Sequence, residues 1–107
     1  MSIIRRDYLP ERQPEPIPLA LAARIARAAA AEGERIEQQT VAQASREALA
    51  MLAPDTNPAL IAKAIARHAV TLADRAEARA VERLVTAARR LLRRGAGPEE
   101  IVEQLGL

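Results

Sequence analysis

The sequence predicts an all-α fold: a small, irregular bundle of four to five helices with an extended, Pro-rich N-terminal arm. Three observations predict it. Alanine supplies 25 of the 107 residues, and Tyr8 is the single aromatic. Strands favour aromatic and β-branched side chains and disfavour alanine, which argues against a sandwich or barrel. The stretch Ala59–Arg94 holds 36 residues with neither Gly nor Pro. Elsewhere, apolar residues recur at the three- and four-residue spacing of a helix face.

Residues 1–18, MSIIRRDYLPERQPEPIP, form the arm. Prolines at 10, 14, 16 and 18 bar a helix and favour extended backbone. Ile3, Ile4, Tyr8 and Leu9 give the arm apolar anchors and are the candidate partner-binding residues. A frayed terminus is the plainer reading of the same segment. The helical domain spans 19–107. Its first helix, about 18–33, opens on Pro18, and its face is Leu21, Ala22, Ile25, Ala29 and Ile36. Gly33 interrupts it at a cost of about 1 kcal/mol if the helix continues. A second stripe of Val41, Ala44, Ala48, Leu49 and Leu52 is rotated by roughly 140–150° from the first, at about 100° per residue. One straight helix cannot present both stripes to one core, so a turn or kink is expected between Gly33 and Thr40. Thr40 with Gln43 makes a capping-box pattern there, and the second helix, about 40–53, stops before Pro54.

Asn57 and Pro58 open a third helix over 58–94, and Gly95 stops it. Ile61, Ile65, His68 and Leu72 form the apolar stripe of its first half. The apolar side of the second half is Val81, Leu84, Val85, Ala88, Leu91 and Leu92. The two halves face different neighbours, so the stretch is either one long helix or two helices that meet at a break near 73–75, with Asp74 as cap. Pro98, followed by Glu99 and Glu100, opens a last helix over 98–105. The stretch from Arg89 to Leu107 resembles the opening of a bacterial helix-turn-helix. No recognition helix follows the turn, so the resemblance implies a local hairpin and no base readout.

Composition excludes more than it identifies. With no cysteine, disulfides and thiolate chemistry are impossible. The net charge of +2 demands no nucleic-acid partner, and the pI of 9.9 reflects an almost pure arginine complement. No charge-free run reaches transmembrane length, so no membrane is expected as a partner. No signal peptide is legible, which with the cysteine count fits the cytoplasm. The bias toward Arg and Ala is that of a GC-rich bacterial genome. His68 is the lone histidine, and it sits on an apolar stripe, as a partly buried packing residue would. Ser2 and Ser45 have no base or acid placed for a triad. No catalytic residue, metal ligand set, cofactor or small-molecule substrate is expected.

The charged feature that stands out is a ridge of Arg75, Arg79, Arg83, Arg90, Arg93 and Arg94 within an arc of roughly 100° on one helix. Such a ridge suits phosphates or an acidic protein surface. The plainer reading is a solvated face, because cations are favoured near a helix C-terminus and several glutamates lie close. The expectation is a non-enzymatic interaction or regulatory module, homo-oligomeric or docked on a protein partner. The alternative is a nucleic-acid-binding accessory protein that uses the ridge. Alanine in place of larger apolar residues leaves a thin core, and this motivates the expectation of a partner.

Overall fold

The structure is a computed structural model, and it describes residues 16–51 and 57–107. These form three helices: α1 (Leu19–Ala50), α2 (Pro58–Arg93) and α3 (Pro98–Leu105). No strand occurs among the described residues. Ile3, Ile4, Tyr8 and Leu9 of the arm lie outside them. α1 and α2 pack side by side as an antiparallel hairpin, and α3 folds back across one end.

Local chemistry sets the helix ends. Asn57 Oδ1 accepts the Ala59 amide at 2.9 Å and Pro58 occupies the first helical position, where no N–H is needed. At the far end of α2, Gly95 turns left-handed with φ 91°. The amides of Gly95 and Ala96 then donate to the carbonyls of Leu92 and Leu91, each at 3.0 Å, which satisfies the last turn. Glu99 and Glu100 lie in the first turn of α3, where the helix dipole favours negative charge.

Among the described residues three helices stand where four to five were expected: the turn or kink expected between Gly33 and Thr40 is absent, and of the two readings of 58–94 the single long helix holds. α1 runs unbroken through Gly33 and Thr40, and α2 through Ala73–Arg75. The reason is the kind of residue on the seam. In α1 the seam is Leu21, Ile25, Ala29, Gly33, Ile36, Thr40, Ala44 and Ala48, all buried or half-buried. In α2 it is Ile61, Ile65, Ala69, Ala73, Ala76, Ala80, Leu84 and Ala88, again buried or half-buried. Both follow spacings of four, four, four, three, four, four and four. Such spacing exceeds the 3.6-residue turn, so the stripe winds slowly around its helix, and two helices with the same winding stay in contact. Val41 and Leu49, whose size suggested a jump of the face, lie off the seam at 38% and 72% exposure.

The antiparallel register is fixed where Gly33 meets the stretch Ala73–Glu77. The same register brings Leu21 and Ile25 to Leu84 and Ala88 at the α3 end. There α3 seats Ile101, fully buried, onto these four residues, with Val102 and Leu105 half-buried around it. Arg24 Nη1 donates to the Leu107 carbonyl at 3.2 Å and ties the chain end to α1. The core is therefore one-sided. Among the described residues, α1 buries nothing fully beyond Gly33, and α2 buries nothing fully before Ala69.

Candidate functional site

The hairpin has two broad faces, and the groove on each is lined by different chemistry. The first face carries the arginine ridge. Arg79, Arg83 and Arg90 surround a shallow depression together with Glu82, Thr86 and Ala87. Arg75 lies one turn before Arg79 and is likewise exposed. The structure thus brings four of the six predicted arginines into one row. Arg93 closes the last turn of α2 and Arg94 is its C-cap, so both sit where the helix dipole favours a cation.

Arg83 Nη2 reaches Glu32 Oε1 of α1 at 3.2 Å, the single ion pair among the described residues. Its guanidinium side is 61% exposed, so the pair contributes little to stability. It places the Arg83 guanidinium beside the α1 flank. Arg89, outside the ridge, is half-buried, and its Nε is shielded from solvent without a hydrogen-bond partner.

Further along this face, toward the interhelix connection, the groove is lined by Thr40, Gln43, Glu47, His68 and Leu72. His68 is exposed at its edge, not partly buried as its place beside Ile65 and Leu72 suggested. The winding of the seam explains the difference: the contact line has moved to Ile65 and Ala69, leaving His68 on the flank. Among the described residues, no three carboxylate or imidazole side chains converge as a metal-binding group.

The second face is apolar, and sequence reasoning did not single it out. Near the interhelix connection its groove is lined by Ser45, Leu49, Ile61, Ala62 and Ile65. Helical spacing adds Val41 on α1 and Ala66 and Val70 on α2 to the same side. Leu49 is 72% exposed and Val70 46%. At mid-length this face changes character. Glu77 flanks Gly33 there, and by spacing Glu34, Glu37 and Asp74 stand with it, all exposed. The carboxylates form a belt across the apolar face. The signal was present in the sequence, but only once the small-residue seam is identified do these positions fall on one side.

No described helix is long and apolar enough to cross a membrane. No family model, curated protein or solved structure matches the chain.

Proposed function

We propose that the protein is a non-enzymatic interaction module of a regulatory kind, working through its helical faces and N-terminal arm and engaging a second copy or a protein partner. The observation that carries this reading is the one-sided core. The end covered by α3 fully buries Leu21, Ile25 and Ile101, whereas the other end leaves Ile36, Ile61, Ile65 and Leu72 half-buried and Leu49 exposed. Half-buried aliphatics on paired helices gain further stability when another surface completes their burial. Among the described residues no hydrogen bond links His68 to Thr40 or Glu47 of the groove they share, which supports the non-enzymatic part.

A second reading is favoured by the clustering of Arg79, Arg83 and Arg90: a nucleic-acid accessory role with phosphates seated on the ridge. A salt titration against random-sequence duplex DNA separates the two. The interaction-module reading expects no binding at micromolar protein. Binding that falls steeply with salt and is lost in the Arg79→Glu, Arg83→Glu double variant would replace it with the nucleic-acid reading.

A further inference from the structure

We propose that the occupant of the apolar face is a second copy of this chain. The two hairpins cross the ends near the interhelix connection into a short four-helix bundle related by a two-fold axis. The inference rests on the interaction-module reading and names its partner and geometry.

The patch is two helices wide and lined by Val41, Ser45 and Leu49 of α1 and Ala62, Ala66 and Val70 of α2, with no charged side chain among them. A second copy offers a surface of the same width and chemistry, and a two-fold interface requires such self-complementarity. Size is complementary as well. With the axis beside Ser45 and Ala66, the small residues meet at the centre. Val41 of one copy then faces Leu49 of the other, and Ala62 faces Val70.

Charge selects this arrangement over its rivals. The belt of Glu34, Glu37, Asp74 and Glu77 lies on the same face. A full-length overlap, whether the hairpins run the same way or opposite ways, stacks one belt on the other. Like charges held together in this way oppose association. Crossing only the ends near the connection moves each belt away from the axis. Nine residues separate Ser45 from the centre of the belt on α1, about 14 Å at 1.5 Å per residue. The two belts then stand about 28 Å apart, beyond the ~8–10 Å over which exposed charges interact at physiological salt. The overlapped face is about 20 Å long, shorter than a standard interface requires, so the dimer is weak and concentration-dependent.

Sedimentation equilibrium of the full chain, from low micromolar to millimolar, tests the proposal. The expected result is a reversible monomer–dimer equilibrium with a dissociation constant in the micromolar range or weaker. Leu49→Glu and Val70→Glu, checked for helicity by circular dichroism, should weaken it at least tenfold. Val81→Glu, on the same face but beyond the belt, should leave it unchanged. The chain has no cysteine, so single cysteines report the axis directly. Ser45→Cys should form a covalent dimer on oxidation or with a short bis-maleimide. A monomer at every concentration would overturn the proposal. So would a dimer indifferent to Leu49→Glu, or one in which Ser45→Cys links only to Ala66→Cys and never to itself. These outcomes are independent of DNA binding, which bears on the interaction-module reading alone.

Discussion

A Cβ placed on Gly33 would stand 3.1 Å from the carbonyl oxygen of Ala73 and 3.3 Å from the Cβ of Glu77. The two long helices approach so closely at mid-length that a Cβ fits only if its neighbours give way by a few tenths of an ångström. This explains why a glycine sits inside a 32-residue helix despite its propensity cost of about 1 kcal/mol. Two terms compete when it is replaced. Gly33→Ala recovers the propensity but presses on a carbonyl held in the α2 hydrogen-bond ladder, which cannot yield alone. The expected result is a change within about 0.5 kcal/mol, the two terms offsetting. Gly33→Leu adds three more carbons with no room for them and should destabilise by about 2 kcal/mol. Urea denaturation of both variants checks the pair, and a stabilising Gly33→Leu would show that the approach is not close.

The one-sided core predicts one-sided costs. Leu84 is 9% exposed and packs with Leu21, Ile25 and Ile101, so Leu84→Ala should cost about 2–4 kcal/mol. Ile61 occupies a seam position at the other end but is only half-buried. At low protein concentration, Ile61→Ala should cost about 1 kcal/mol or less, because water already reaches much of the side chain. Equal losses at the two positions would show that the end near the connection has a filled core of its own.

The elements were legible where they rest on single strong signals. Pro18, the Asn57-Pro58 pair, Gly95 and the Pro98-Glu99-Glu100 opening each mark a helix boundary close to where the sequence puts it. Continuity of α1 was not legible, because pattern reading weights large side chains. Val41 and Leu49 draw the eye to one side of α1, while Gly33, Thr40, Ala44 and Ala48 carry the contact on another. The same substitution of small for large hides the second half of α2, where Ala76 and Ala80 are buried and Val81 is 38% exposed. The arginine ridge was legible because its spacing is regular on one helix. The apolar face opposite was not, since it is assembled from two helices and exists only in the correct register.

Amide exchange should follow the same division. Backbone amides of 21–33 and 69–88 lie on the fully packed stretch and should exchange only through opening of most of the hairpin. Those of 40–50 and 60–66 should exchange through fraying of the end near the connection, at a lower free energy. Hydrogen exchange read by mass spectrometry at low protein concentration gives the contrast. Uniform protection along α1 would show that the hairpin opens as one unit.

The Arg83–Glu32 pair should contribute almost nothing to folding. At 61% and 28% exposure the charges remain largely hydrated, and ordering two long side chains offsets much of the attraction. A double-mutant cycle with Arg83→Ala and Glu32→Ala should give a coupling energy of about 0.5 kcal/mol or less. A coupling above about 1 kcal/mol would mean that the pair is more shielded than the exposed flank allows.

Gly95 and Gly97 provide an internal control on what seats α3. Neither has a heavy atom within 4 Å of the site a Cβ would fill, so packing does not distinguish them. Backbone conformation does. Gly95 holds φ 91°, which an L side chain resists, whereas Gly97 holds φ −81° and ψ 163°, which any residue adopts. Gly95→Ala should therefore cost about 1–2 kcal/mol. Gly97→Ala should be neutral or stabilise by a few tenths of a kcal/mol, since it narrows the unfolded ensemble without straining the fold. The loss at Gly95 acts on the turn that delivers Ile101 to the core, so α3 should detach first. The readout is faster exchange at 99–105 in Gly95→Ala, with the α1–α2 seam unchanged. If both variants lose stability equally, the turn is constrained by something other than the sign of φ at Gly95.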